Sequence, residues 1–187
     1  MQLKIIRFKN VKSTNDKAIK LIQTGKITSG LITADLQTNG RGTMGKKWIS
    51  VKGNIFISIF FKVNFTKIKI ANFLIINAKI IKKILKNHTK KKITIKKPND
   101  LLIEKRKLCG ILQEVVDFKN DKYLITGFGI NTLISPLDKE YISTCLQEHA
   151  KLIIKNLSII ENIKNTYEKI INEFENNNFT SIKKKYI

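Results

Sequence analysis

Hydrophobic and polar positions change their period along the chain, and each change marks an element. QLKIIRF (2–8) reads as a strand. Ser13 and Thr14 then offer caps for a helix running to about Gln23, with Gly25 placed to end it. GLITADL (30–36) is a second strand. NIFISIFF (54–61) is apolar on both faces, which predicts a strand in the middle of a sheet. Residues 66–87 repeat with a helical period and carry their lysines outward. A sheet-like passage runs from Lys92 to Asn131, and EKRK (104–107) is a polar tight turn between LLI and LCGILQEVV. After Pro136 the spacing predicts helices over 139–154 and 158–176, and the tail NNNFTSIKKKYI predicts a last short helix. No repeat or linker interrupts this layout, so 187 residues read as one domain with a real core.

Composition adds little until charge is considered. The chain is 42% hydrophobic and 27% charged, as a folded globular protein is. No apolar run reaches the length of a membrane span, and MQLKIIRFKNVKSTND has no apolar signal region. Cys109 and Cys145 stand in no C-x-x-C spacing and suit buried thiols of a reducing compartment, so a cytoplasmic location and no membrane partner are expected. The net charge of +22 admits two explanations: a nucleic-acid partner, or a compositional bias toward lysine. The lysines are spread along the whole chain, which favours the second. Such a charge also steers an acidic partner toward the surface.

Three stretches carry candidate chemistry. NGRGTMG (39–45) contains G-x-G-x-x-G, the dinucleotide pattern. That fingerprint must open a helix and needs an acidic residue about 20 positions on. Here the loop leads into the strand NIFISIFF, and no Asp or Glu occurs between Asp35 and Asp100. The dinucleotide reading fails. The loop instead offers amide donors and Arg41 to an anion. Trp48, the only tryptophan, suits either a core position or stacking on a flat ligand. In KKPNDLLIEKRKLCGILQE (96–114), Pro98 holds Lys97 extended, and Asn99 and Asp100 open a strand. The turn brings Lys107 back toward Asn99–Leu102, either as part of a site or as a charged surface hairpin. ITGFGIN (125–131) ends a strand with glycines that permit close approach of a ligand, or that simply form a turn.

Taken in order, Ser13-Thr14-Asn15, Gln37 with Gly40-Arg41-Gly42 and Trp48, Pro98-Asn99-Asp100-Leu101, Lys107-Leu108-x-Gly110-Ile111-Leu112-x-Glu114 and Gly127-x-Gly129-Ile130-Asn131 resemble the catalytic domain of biotin protein ligases. The resemblance runs from about Ile5 to Leu146. It implies an α+β fold, a mixed and mainly antiparallel sheet flanked by helices, of the biotin/lipoate ligase or class II aminoacyl-tRNA synthetase-like type. It also implies a reaction in which biotin and Mg-ATP give biotinyl-5′-AMP, whose biotinyl group passes to a lysine of a biotin carboxyl carrier protein, the acetyl-CoA carboxylase subunit. Lipoate ligases and octanoyltransferases share that fold and are the alternative; a basic nucleic-acid-binding module is the alternative of another class.

By resemblance, Lys107, Arg41 and Asp100 are the catalytic residues. Ser13, Thr14, Asn15, Gln37, Gly40, Arg41, Gly42, Thr43, Lys107 and Gly110 would bind biotin. Lys46, Trp48, Asn99, Gly129 and Asn131 would bind the nucleotide. Asp100 would either help hold Mg²⁺ or orient Lys107. ATP, Mg²⁺ and biotin are thus a co-substrate, an activator and a substrate, with no tightly bound prosthetic group.

The pattern departs from the family at three points. Thr43 replaces the usual second Arg of the loop, which predicts weaker retention of an adenylate and stray labelling of lysines; Thr43→Arg should lower that labelling, measured on bystander protein. Lys97 replaces the usual tryptophan before Pro-Asn-Asp. The chain also begins and ends near the limits of the catalytic region. No helix-turn-helix DNA-binding domain or specific DNA partner is therefore expected, and the small C-terminal β domain of many relatives is either absent or truncated; a homodimer is plausible.

Overall fold

The computed structural model describes residues 2–64, 70–137, 141–176, 182, 184 and 185. Its strands are β1 (Ile5–Val11), β2 (Gly30–Gln37), β3 (Ile55–Lys62), β4 (Ile93–Lys96), β5 (Asp100–Ile103), β6 (Arg106–Phe118) and β7 (Asp121–Ile130). Its helices are α1 (Thr14–Gln23), α2 (Ile70–Lys86) and α3 (Asn156–Glu175). The strands form one sheet in the order β1-β2-β3-β7-β6-β5-β4. β1 and β2 are parallel and every other neighbouring pair is antiparallel, giving the mixed, mainly antiparallel α+β sheet expected.

Local signals account for most of these elements. Ser13 sits at φ −149° and its hydroxyl accepts from the Asp16 amide, so α1 starts where a capping residue can satisfy a free N–H. Gly25, at φ +67°, turns the chain out of the helix. β3 is buried from Ile55 through Phe61, because both its faces are covered. Ile55, Ile57, Ile59 and Phe61 belong to the larger core with α2 and α3, while Phe60 joins Ala18, Ile22, Ile32 and Ile125 under α1. The β5–β6 turn places Glu104 at φ +50° and Lys105 at φ +64°, the left-handed pair of a two-residue hairpin.

One expectation is overturned. The segment after Pro136 is not a helix over 139–154: outside residues 138–140, which are not described, it is extended and irregular, with a single 3-10 turn at Gln147–His149. Its backbone bonds go to the sheet instead of to itself. Lys107 N–H donates to Ile142 O, Thr144 N–H to Lys107 O, and Leu146 N–H to Asn131 O, each at 2.8–2.9 Å. Satisfying those backbone groups along β6 and β7 outweighs the helical spacing of the side chains. The tail predicted as a short helix lies largely outside the described residues.

Candidate functional site

A cavity of about 300 Å³ opens on the α1 face of the sheet. Its floor is made of missing side chains. Gly129 of β7 is paired with Gly110 of β6, and Gly127 stands two residues before it. A Cβ on Gly110 would lie 2.7 Å from Trp48 Cζ3, and one on Gly129 would lie 2.5 Å from Cζ2. The indole therefore rests flat against bare backbone, which no residue but glycine permits. A Cβ on Gly127 would overlap the Asn15 amide in the same way. Gly40 serves the loop rather than the cavity: its Cβ would meet Trp48 O at 2.6 Å, and Trp48 N–H donates to Gly40 O.

One end of the cavity is neutral and polar. Thr14 donates its backbone N–H to Gln37 Oε1 at 2.8 Å and its hydroxyl to the same oxygen at 3.1 Å. Ser58 Oγ, buried in β3, lies 2.7 Å from Thr14 Oγ1 and 2.5 Å from Asn15 Oδ1. Gln37 Nε2 donates to Ser50 Oγ at 3.3 Å. Asn15 Nδ2 donates to Glu114 Oε2 at 2.7 Å. Ser58 and Glu114 are thus the supports of this set. Glu114 was legible only as part of a motif, and Ser58 carried no signal in an otherwise apolar strand.

Glu114 also holds the loop. Arg41 makes a two-pronged contact with it, Nη1 to Oε1 and Nη2 to Oε2, both 2.8 Å, and a further ion pair to Asp16 at 2.7 Å. Hydrogen bonding to Glu114, against opposing desolvation, raises the guanidinium further above its ordinary pKa, and the charges of Glu114 and Asp16 add to this. The loop closes on itself through Gly42 N–H to Lys46 O at 2.7 Å, with Met44 at φ +56° and Gly45 at φ +74°.

The other end is cationic. A bulge between Leu101 and Leu102 shifts the β5–β6 register, so that Gly110 faces Asp100 while Lys107 faces Leu102. Lys107 and Gly110 are three positions apart, which by strict alternation would send them to opposite faces; the bulge returns Lys107 to the cavity. Its ammonium lies 3.0 Å from Asp100 Oδ1, 4.4 Å from the centre of the Tyr141 ring and 5.4 Å from that of Trp48. Asn99 Nδ2 reaches Ile111 O and, at 3.4 Å, Thr43 Oγ1. Lys46, Lys47, Lys96 and Lys105 complete the wall, and Asp100 is the one carboxylate among the described lining residues.

The structure therefore brings together Ser13, Thr14, Asn15, Gln37, Arg41, Gly42, Thr43, Lys46, Trp48, Asn99, Asp100, Lys107, Gly110 and Gly129. It does not bring Asn131 into the lining. That side chain is 1% exposed and donates to Lys107 O at 3.3 Å, behind the wall. Lys47, Lys96, Lys105 and Tyr141 were missed. Tyr141 was hidden by the expected helix, and the lysines by their abundance.

Neither cysteine competes for a chemical role. Both thiols are free and buried. Burial, with the Asp100 charge added, pushes Cys109 far above the ordinary thiol range, so it carries no thiolate at neutral pH. Among the described residues no group of three metal-ligating side chains occurs, and no helix is long and apolar enough to cross a membrane.

The structure is thus a mixed α+β sheet carrying a glycine-floored cavity, polar at one end and lined by lysines at the other. The chain belongs to the biotin/lipoate A/B protein ligase family, whose model matches residues 7–131. It is similar to the bifunctional ligase/repressor BirA of Bacillus subtilis, 29% identical over 179 residues that cover 92% of this chain and 55% of that protein. The chain thus spans about half the length of that relative. Among solved structures, the biotin protein ligase from Aquifex aeolicus in complex with biotin and ATP superposes with a TM-score of 0.74 at 25% identity, covering 91% of this chain and 71% of that one. The ligase from Leishmania major in complex with biotin gives the same TM-score at 24% identity, over 86% and 71% of the two chains.

Proposed function

We propose that this protein is an ATP-dependent biotin protein ligase. A carboxylate oxygen of biotin attacks the α-phosphorus of ATP, pyrophosphate leaves, and biotinyl-5′-AMP is held in the cavity. The amine of one lysine on a biotin carboxyl carrier protein then attacks the acyl carbon, and AMP leaves. The observation that carries this reading is the polarity of the cavity: a hydrogen-bonding set of Ser13, Thr14, Asn15 and Gln37, with Arg41 held beside it by Glu114 and Asp16, at one end and Lys107 at the other. The first suits a ureido ring, which both donates and accepts; the second suits a carboxylate meeting a phosphate.

The division of labour follows from charge. Two anions must approach, so the barrier is electrostatic and fixed cations lower it. Lys107 neutralises the carboxylate and the bridging phosphate oxygen. Asp100, 3.0 Å from its ammonium, orients it. Trp48, which lines the cavity, would pack near adenine, and Lys46 and Asn99 serve the nucleotide. Asn131 acts from behind, through Lys107 O. Two buried polar atoms, Arg41 Nε and Trp48 Nε1, have no hydrogen-bond partner among the described residues, which fits a site completed by its substrates. Mg²⁺ would arrive on the triphosphate, which it usually binds together with only one or two carboxylates; among the described lining residues Asp100 is the one available.

The family description covers lipoate as well as biotin, so a lipoate or octanoate enzyme of this fold is the second reading. Calorimetric titration with biotin and then lipoate, each with and without a non-hydrolysable ATP analogue, separates them. Heat with biotin alone supports the first reading; silence with biotin and a signal with lipoate supports the second.

A further inference from the structure

Tyr141 lines the cavity from a segment outside the sheet. That segment is laid along β6, where Ser143 pairs in parallel with Lys107. Lys107 N–H donates to Ile142 O and Thr144 N–H donates to Lys107 O, both at 2.9 Å. Leu146 N–H donates to Asn131 O at 2.8 Å, which ties the segment to the end of β7. Thr144 is fully buried and donates its hydroxyl to Glu148, which Arg106 of β6 also holds at 3.0 Å. The lysine that carries the charge of the reacting end is therefore gripped, through its own backbone, by the segment that supplies Tyr141.

Three groups meet the Lys107 ammonium. Asp100 Oδ1 lies 3.0 Å away, the centre of the Tyr141 ring 4.4 Å and that of the Trp48 ring 5.4 Å. Tyr141 is the nearer ring, and Trp48 is already seated flat on Gly110 and Gly129. The Lys107 and Asp100 side chains are only 17% and 19% exposed, so water screens these contacts weakly. Charge explains why a ring belongs here. One carboxylate orients the ammonium, but a second would cancel the charge that the reaction uses. A ring face attracts a cation through its quadrupole and adds no negative charge. Between Asp100 and Tyr141 the ammonium is fixed in place and keeps its charge for the substrate oxygens.

We propose that Tyr141 is a positioning residue for adenylate formation, its ring face holding the Lys107 ammonium where the carboxylate meets the α-phosphate. The assignment rests on the function proposed above. The role belongs to the electrons of the ring and not to its hydroxyl or its bulk, so variants of equal shape separate it from packing. The test uses the full chain, with single-turnover adenylate formation, biotin affinity by calorimetry and a melting curve for each variant.

Tyr141→Phe should match the parent within about twofold, since the ring face remains. Tyr141→Leu should slow adenylate formation about tenfold, as loss of a partly desolvated cation–π contact does, and change biotin affinity far less. Replacing Tyr141 with 3,4,5-trifluorophenylalanine, which keeps the shape and withdraws electrons from the face, should give a rate between those of the Phe and Leu variants. In a Lys107→Met background Tyr141→Leu should cost nothing further, because the ring has no cation to hold. A Leu variant as fast as the parent, a fluorinated ring as good as Phe, or an undiminished loss in the Lys107→Met background overturns the proposal.

The contact is also read without turnover. By NMR, the ring current of Tyr141 should shift the Lys107 ε-methylene protons upfield in the parent, and Tyr141→Leu should return them toward the ordinary lysine position. Protons that do not move overturn the proposal. A parent that shows the shift yet makes no adenylate from biotin overturns the proposed function and leaves the Tyr141–Lys107 contact standing.

Discussion

Gly129→Ala tests how the cavity floor is built. The substitution leaves the backbone of β7 unstrained, since Gly129 does not occupy the left-handed region. The new Cβ would lie 2.5 Å from Trp48 Cζ2 and 2.6 Å from Nε1, closer than carbon atoms approach, so the indole must leave its platform. Forcing a methyl group into such a contact costs about 1–3 kcal/mol. Reduced freedom of the unfolded chain returns about 0.4–1 kcal/mol. The net loss should be about 1–2 kcal/mol, a fall in Tm of roughly 2–8 °C for a domain of this size. Thermal melts measure the loss. Fluorescence locates it, because Trp48 is the sole tryptophan and its emission should shift as the ring moves. In a Trp48→Ala background the clash is gone, and Gly129→Ala should then be neutral or slightly stabilising. A cost below about 0.5 kcal/mol with unchanged emission, or a cost that survives removal of the indole, refutes the platform.

The other predictions concern charge. Lys107→Ala should slow adenylate formation by about 10²–10³ while lowering biotin affinity far less, as expected when a group acts mainly on developing charge; single-turnover kinetics within threefold of the parent would contradict it. Glu114→Gln leaves Arg41 paired only with Asp16 and weakens the support of Asn15, so biotin affinity should drop about tenfold by calorimetry. An unchanged affinity would show that the loop and α1 are positioned without it. Burial works to raise the Glu148 carboxyl, but hydrogen bonds from Ser135, Thr144 and Cys145, with Arg106 nearby, prevail and hold it at about 2. Its folded pKa lies below the unfolded value, so it contributes stability above about pH 4.3 that is lost as pH falls toward 2. Melts between pH 5 and 2 should show the parent losing more Tm than Glu148→Gln; parallel curves would refute the assignment.

Much of this architecture was legible because local and global signals agree. Ser13 caps α1, Gly25 ends it, and the unbroken apolar run of β3 announced a strand covered on both faces. The dinucleotide pattern was correctly set aside, since the loop does feed β3 and no helix follows it. The segment after Pro136 was misread because side-chain spacing says nothing of where backbone hydrogen bonds go; here they go to Lys107, Asn131 and Thr132. That error hid Tyr141. Asn131 shows the complementary limit, because a motif reports that a residue matters without saying whether it faces the ligand or braces the wall. Ser58 was invisible for a third reason: a lone hydroxyl in a buried strand gains meaning only once α1 is laid across it.

The central claim is that this cavity activates biotin by adenylation. Purified protein incubated with Mg-ATP and biotin, lipoate or octanoate in separate reactions, with the acid-quenched products resolved by mass spectrometry, tests it directly. The account predicts biotinyl-5′-AMP and pyrophosphate with biotin, little adenylate with the other two acids, and loss of the signal in Lys107→Ala. Adenylate formed from lipoate or octanoate but not from biotin, or biotinyl-5′-AMP made equally well without Lys107, would contradict it.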